Sequence, residues 1–185
     1  MLKPIIFLLL SLYIFSLVSS HPLDPLIPFK FILVGSIVTK SYPTSKHNLT
    51  FQYIGLDEPD KPTVLSWVSN PTSKPPPCRA FVTTRLYNQS HNIIVDLSTH
   101  SIVSDDIYHG NGYPLLNNDE QGVASALPNT YGPFIESVKK RGLNLSDVVC
   151  LDYSVGWFGT VESKRVVKLL CFYIKGTVNL YVRPL

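Results

Sequence analysis

Twice along this chain a helical period of apolar residues gives way to strand-like alternation. The two runs are separated by His109-Gly110-Asn111-Gly112-Tyr113-Pro114, where glycines and a proline interrupt every period. Helices and antiparallel sheets each carry an apolar face that must be buried. A helix followed by strands in each half therefore predicts an α+β class with helices packed on one face of each sheet. In the first half, Phe29, Ile32, Leu33 and Ile37 recur at helical spacing over residues 25–42, with Pro28 near the start and Ser41-Tyr42-Pro43 at the end. Leu49, Phe51 and Tyr53 then alternate with Thr50 and Gln52, and residues 64–68, 80–86 and 93–97 have the same strand character. Asp57-Glu58-Pro59-Asp60 and the prolines of 71–77 break the strands, and Tyr87-Asn88-Gln89-Ser90-His91 reads as a hairpin loop.

The second half repeats the order. Asn118-Asp119-Glu120 is placed to cap a short helix bearing Val123, Ala126 and Leu127; a second helix over 133–141 points Phe134, Ile135 and Val138 inward and stops at Gly142. Strands follow over 148–155, 165–174 and 177–183, the last two joined by a tight turn at Lys175-Gly176. With 185 residues there is room for two small domains, expected at 21–112 and 113–185, and little room for a large enzyme.

Residues 1–20 read as a secretory leader. Lys3 supplies the positive end, residues 5–18 the apolar run and Val18-Ser19-Ser20 small residues suited to cleavage, so the mature chain would begin near His21. The run is shorter than the roughly 20 apolar residues of a bilayer span, contains Ser11 and Ser16, and has no basic cluster after it, which implies no membrane anchor once it is cleaved. Loss of the leader removes Lys3 and no acid, so the formal charge of +3 becomes +2, a near balance that argues against a nucleic-acid partner. The basic run Lys139-Lys140-Arg141 reads as a cationic last helical turn. Export makes three acceptor sequons meaningful, at Asn48, Asn88 and Asn144, whereas Asn70-Pro71-Thr72 is blocked by its proline.

Three cysteines allow at most one internal pair. If 148–155 and 165–174 form a hairpin turning around 159–161, Cys150 falls opposite Cys171. Directly opposed residues have Cβ atoms roughly 4.5–5.5 Å apart, close enough to bridge. Cys78 is then a free or intermolecular thiol.

Nothing in the sequence nominates a catalytic centre. His21, His47, His91, His100 and His109 are scattered with no His-x-His pair and no acid cluster, and no Gly-x-Ser-x-Gly elbow or Gly-rich phosphate loop is present. Asp57-Glu58 and Asp105-Asp106 read as solvent-facing turn residues, Trp157-Phe158 as core or interface.

Several unbroken stretches resemble the amino-terminal region of plant copper-containing primary amine oxidases: residues 21–26, 53–61 and 94–98, then Ser154-Val155-Gly156-Trp157-Phe158-Gly159, 163–167 and 176–184, together with the spacing of Cys150 to Cys171. The resemblance runs collinearly over nearly the whole mature chain. It implies two small cystatin-like α+β domains that precede a large catalytic domain, a family reaction converting primary amines to aldehyde, ammonia and hydrogen peroxide, and, in the full-length family, copper held by three histidines and a topaquinone. The topaquinone arises from a tyrosine in an Asn-Tyr-Asp or Asn-Tyr-Glu context. No tyrosine here directly follows an asparagine, and no histidine pair has ligand spacing. No catalytic, cofactor-binding or metal residue is therefore carried over, whether the chain is itself an enzyme is left open, and the second unit is expected to be incomplete at Leu185.

On this reading the chain is the amino-terminal part of an amine oxidase, inactive alone, in the apoplast or cell wall, as a homodimer or amine oxidase subunit. The alternative is a stand-alone secreted binding module that associates with amine oxidase subunits. Gln121-Gly122-Val123-Ala124-Ser125 is similar to a cystatin inhibitory loop but lacks its glycine and falls in an expected helix.

Overall fold

The computed structural model describes residues 21–43, 48–156 and 164–185. The leader, His47, the turn expected at 159–161 and Trp157-Phe158 lie outside the described residues. The elements are α1 (Pro28–Ser41), β1 (Leu49–Asp57), α2 (Lys61–Ser69), β2 (Arg79–Leu86), β3 (Gln89–Asp96), β4 (Ser101–Ile107), α3 (Asn118–Ala126), α4 (Gly132–Lys140), β5 (Val148–Ser154) and β6 (Val167–Tyr173). Single 3-10 turns occupy Leu127–Thr130, Leu145–Asp147 and Leu180–Val182. One sheet has the order β1-β2-β3-β4 and a second pairs β5 with β6, which is the expected α+β class.

The chain divides into two compact units, the first made of residues 1–47, 54–82 and 92–106. Its buried apolar residues include Val34, Ile37 and Val38 of α1, Val64 and Trp67 of α2, Ala80 and Val82 of β2, and Ile93 and Val95 of β3. Of the residues expected to face inward from α1, Ile37 is buried and Leu33 half-buried, whereas Phe29 is 67% and Ile32 72% exposed. This helix is apolar nearly all round, so its period admits more than one inward face and packing chooses Val34, Ile37 and Val38.

Residues 64–68, expected as strand, belong to α2. Asp60 Oδ1 accepts a hydrogen bond from Thr63 N at 3.1 Å, and Pro62 lies in the first turn. This start signal, with Val64 and Trp67 buried three residues apart, overrides the β-branched character of the segment. β2 obeys strict alternation, with Ala80, Val82, Thr84 and Leu86 buried. The hairpin into β3 is tighter than expected: only Tyr87 and Asn88 lie between the strands, at φ 48° and 67°. Both sit in the left-handed region that the twist of a two-residue hairpin demands.

β4 escaped the sequence reading, and Asp105-Asp106, read as a turn, lie within it. It is an edge strand of the sheet, and most of its residues are exposed. An edge strand with charged residues shows little alternation to read. The turn leading into it is built by Asp96, whose Oδ1 accepts hydrogen bonds from Ser98 N at 2.8 Å and Thr99 N at 3.1 Å. Burial raises the pKa of Asp96, but these bonds and nearby Arg79 outweigh it and hold the carboxyl below its ordinary value.

The second unit comprises residues 48–53, 83–91 and 107–185. α3 opens with a full capping box: Asn117 Oδ1 accepts from Glu120 N and Glu120 Oε2 from Asn117 N, each at 2.9 Å. The cap is thus Asn117, one residue before the run singled out from sequence. The buried residue of α3 is Ala124, while Val123 and Leu127 are exposed. In α4, Val138 is buried, Phe134 and Ile135 half-buried, and Lys139 and Lys140 occupy the last turn. Its end is a Schellman motif: Gly142, at φ 70°, donates from its N to Lys139 O at 2.9 Å, and Leu143 N donates to Val138 O at 3.2 Å.

β5 and β6 pair antiparallel from Val148↔Tyr173 to Ser154↔Val167, and α3 packs on β5. Cys150 lies opposite Cys171, joined to it by a disulfide. The expected last strand over 177–183 does not form. Asn179 Oδ1 accepts from Tyr181 N at 3.0 Å and Thr177 Oγ1 from Asn179 N at 3.1 Å, local bonds that favour the 3-10 turn Leu180–Val182 over a ladder. Only the final residues return to β6, through Tyr173 N to Arg183 O and Leu185 N to Cys171 O, both 2.9 Å, and an isolated bridge between Phe172 and Pro184.

Candidate functional site

The densest polar arrangement among the described residues converges on Arg165, just before β6 in the second unit. Its Nη1 donates to Glu120 Oε1 at 2.6 Å, and its Nη2 reaches Glu120 Oε2 at 3.0 Å, Gln52 Oε1 at 3.0 Å, Leu115 O at 2.8 Å and Pro114 O at 3.1 Å. Nε donates to Pro114 O at 3.3 Å. The planar five-donor fork of arginine suits this role, which the point charge of a lysine could not fill. Asn117, besides capping α3, donates from Nδ2 to Phe51 O at 3.3 Å. One guanidinium and one cap thus tie together three stretches distant in sequence: β1, the 114–120 segment and the entry to β6.

Charge at this cluster is balanced by Glu120. Burial raises its pKa, but hydrogen bonds from Arg165 and from Asn117 N outweigh that and leave it below the ordinary carboxylate value. Arg85 stands close by, its guanidinium carbon 5.8 Å from the Tyr113 ring centre. Burial lowers the Arg85 pKa, the charge of Arg165 adds to that, and Glu120 and Tyr113 oppose it. Beside the cluster lies a cavity of about 350 Å³ with a mixed lining, polar at Gln121, Asp152 and Arg165 and apolar at Leu116 and Val167. Nothing in the cluster pairs a nucleophile with a base; it organises backbone.

A second concavity of the same unit is apolar, with a volume of about 770 Å³. Leu127, Tyr131 and Phe134 line one side, Leu169, Phe172 and Leu185 the other. Leu127 and Tyr131 are exposed large apolar residues.

The residues singled out from sequence are dispersed. His91 is buried, whereas His21, His100 and His109 are exposed, and His21 packs edge-on against Trp67 with ring centres 5.4 Å apart. Asp105 accepts a short hydrogen bond from Tyr42 Oη; burial, this bond and the charge of Asp105 all raise the Tyr42 pKa. Cys78 carries no disulfide, and Lys30 Nζ lies 3.3 Å from its sulfur. Asn48, Asn88 and Asn144 are exposed. Arg165 was missed as a centre; its signal in the sequence was the Asn-x-x-Glu box at 117–120, which needs a cation once Glu120 is half-buried.

Among the described residues no three His, Cys, Asp or Glu side chains converge where a metal ion could be held. No described helix is long and apolar enough to cross a membrane.

Two successive segments of the chain match two domain families: residues 21–108 the copper amine oxidase N2 domain and residues 119–185, which hold the hairpin disulfide, the copper amine oxidase N3 domain. The chain belongs to the copper amine oxidase family and carries its N-terminal domains. It is 46% identical over 197 residues to the Arabidopsis thaliana protein named amine oxidase [copper-containing] alpha 3, peroxisomal, an alignment covering 100% of this chain and 29% of the relative. With the Pisum sativum primary amine oxidase it shares 49% identity over 165 residues, 89% of this chain and 24% of the relative. A crystal structure of a copper-containing benzylamine oxidase from Hansenula polymorpha shares the fold, with a TM-score of 0.75 at 16% identity, over 90% of this chain and 27% of that one. The chain therefore spans less than a third of the length of these relatives.

Proposed function

We propose that this chain supplies the non-catalytic N2 and N3 domains, 21–112 and 113–185, of a secreted primary amine oxidase subunit and has no amine oxidase activity by itself. The carrying observation is the match of residues 21–108 and then 119–185 to the N2 and N3 domains of this family, in that order along the chain. The full-length family turns primary amines into aldehyde, ammonia and hydrogen peroxide with copper and topaquinone. The described residues do not fit the copper, since His21, His91, His100 and His109 form no group able to hold a metal.

Export is supported by the leader-like residues 1–20 and by the disulfide, a bond that persists in oxidising compartments. Two Arabidopsis relatives are named peroxisomal, so localisation of this chain by its own first twenty residues is a separate measurement. A second reading, association with amine oxidase subunits as a binding module or within a homodimer, is favoured by the apolar groove between Tyr131 and Leu169.

The test is secretion of the full chain from a eukaryotic host, followed by assays of copper content, quinone absorbance and amine-dependent peroxide release. None of the three is expected. Reproducible turnover with bound copper would overturn the proposal. Co-purification with a coexpressed full-length relative would favour the second reading.

A further inference from the structure

We propose that Asn111 and Gly112 form a self-modifying site, in which Gly112 N, assisted by the Tyr108 hydroxyl, closes on the Asn111 side chain and converts residue 111 into a carboxylate. The chemistry requires no partner, cofactor or export.

Asn111-Gly112 is the only Asn-Gly step in the sequence. A glycine after an asparagine has no side chain to shield its nitrogen, so the nitrogen can approach the carboxamide carbon. The fold keeps both reactants free. Among the described residues neither the Asn111 carboxamide nor Gly112 N takes part in a hydrogen bond, and Asn111 is exposed. Other asparagines use their side chains: Asn70 Oδ1 accepts from Thr72 Oγ1 at 2.7 Å, Asn117 caps α3 and Asn179 Oδ1 accepts from Tyr181 N at 3.0 Å.

Tyr108 adds what the dipeptide alone lacks. Its N donates to Ser90 O at 2.8 Å, which fixes it just beyond β4, and its Oη donates to Asn111 O at 3.1 Å. That oxygen belongs to the peptide group whose nitrogen is Gly112 N. Attack requires the nitrogen to lose its proton, and the charge of the resulting anion falls largely on the Asn111 oxygen. A donor already aimed at this oxygen stabilises the anion and lowers the barrier. Gly110 permits the arrangement, since a Cβ there would overlap the Tyr108 hydroxyl and ring.

In the reaction, hydroxide takes the Gly112 N proton. The bond from Gly112 N to Asn111 Cγ forms, the Cγ–Nδ2 bond breaks, and ammonia leaves with a proton from water. Water then opens the succinimide: cleavage at Cγ gives aspartate, and cleavage at the main-chain carbonyl gives isoaspartate. Either product places a carboxylate on the wall of the cavity that Lys164 and Arg165 also line. Isoaspartate also lengthens the main chain ahead of the Pro114 and Leu115 carbonyls that Arg165 holds. The segment thus gains negative charge with age, beside cations.

The purified full chain is incubated at neutral pH, folded and in parallel unfolded in urea. Residue 111 is followed by peptide mass spectrometry and by isoaspartate methyltransferase labelling. Faster conversion in the folded chain than in urea is expected, and none at this position in N111Q. Y108F removes one hydroxyl from a residue that is 46% exposed. It should slow the folded chain about three- to ten-fold, the worth of one hydrogen bond, and leave the rate in urea unchanged. G110A, which displaces the Tyr108 ring, should show the same slowing, and a thermal melt of each variant confirms that the rates are those of folded protein. Conversion slower folded than unfolded would overturn the proposal. So would a folded Y108F or G110A chain that converts as fast as the parent.

Discussion

Arg165 Nη1 lies 2.6 Å from Glu120 Oε1, and the same carboxylate accepts the Asn117 N–H that closes the capping box of α3. Helix start and strand entry, 45 residues apart, are thus held by one acid.

Loss of the arginine should therefore cost more than a surface ion pair. The Arg165 and Glu120 side chains are only 16% and 28% exposed. Arg165→Met leaves a half-buried carboxylate without its counter-charge, still holding the Asn117 N–H, and takes the arginine donors from two backbone carbonyls, so a loss of about 2–3 kcal/mol is expected in urea denaturation. Arg165→Lys should recover little of it, because one ammonium cannot reproduce the fork. The double variant with Glu120→Gln should lose less than the sum of the single changes.

The pH dependence follows from the same acid. Glu120 titrates below its unfolded value of roughly 4.3. Its contribution is complete above that value and disappears as pH falls through the lower folded one. Asp96, also depressed, has the same sign. Stability by chemical denaturation should decline below about pH 4–5, and the decline should be shallower in Arg165→Met.

Removing the staple is a separate test. Cys150 and Cys171 close a loop with a sequence separation of 21. The doubly substituted Cys150→Ala, Cys171→Ala chain should lose roughly 3 kcal/mol on the chain-entropy account. A reducing agent added to the unsubstituted protein should reproduce the loss in a thermal melt.

Core and surface positions of similar chemistry should separate cleanly. Ile93 is fully buried and Ile32 largely exposed. Ile93→Ala is expected to cost about 2–4 kcal/mol, whereas Ile32→Ala should stay within about 0.5 kcal/mol.

Gly142→Ala isolates backbone strain. No atom lies within 4 Å of an added Cβ, yet φ is +70°. A loss of about 1 kcal/mol is expected from the left-handed conformation alone.

What the sequence could determine was local or periodic. The alternation in 80–86, the helix ending at Gly142 and the opposition of Cys150 to Cys171 follow from periods and a shared register, which neighbours along the chain set between them. The collinear resemblance over 21–184 likewise needed no coordinates. Tertiary structure decided the remainder. A helix apolar nearly all round cannot announce that Val34 and Val38, and not Phe29 and Ile32, will face inward. Nor can β4 declare itself when its pattern is that of an exposed edge. Residues 177–183 carry strand-like side chains, yet hydrogen bonds accepted by the side chains of Thr177 and Asn179 bend them into a turn. The Arg165 cluster lies furthest from the sequence's reach, because its partners Gln52, Leu115 and Glu120 are joined only by folding: long-range contacts leave no periodic trace in the segments that make them.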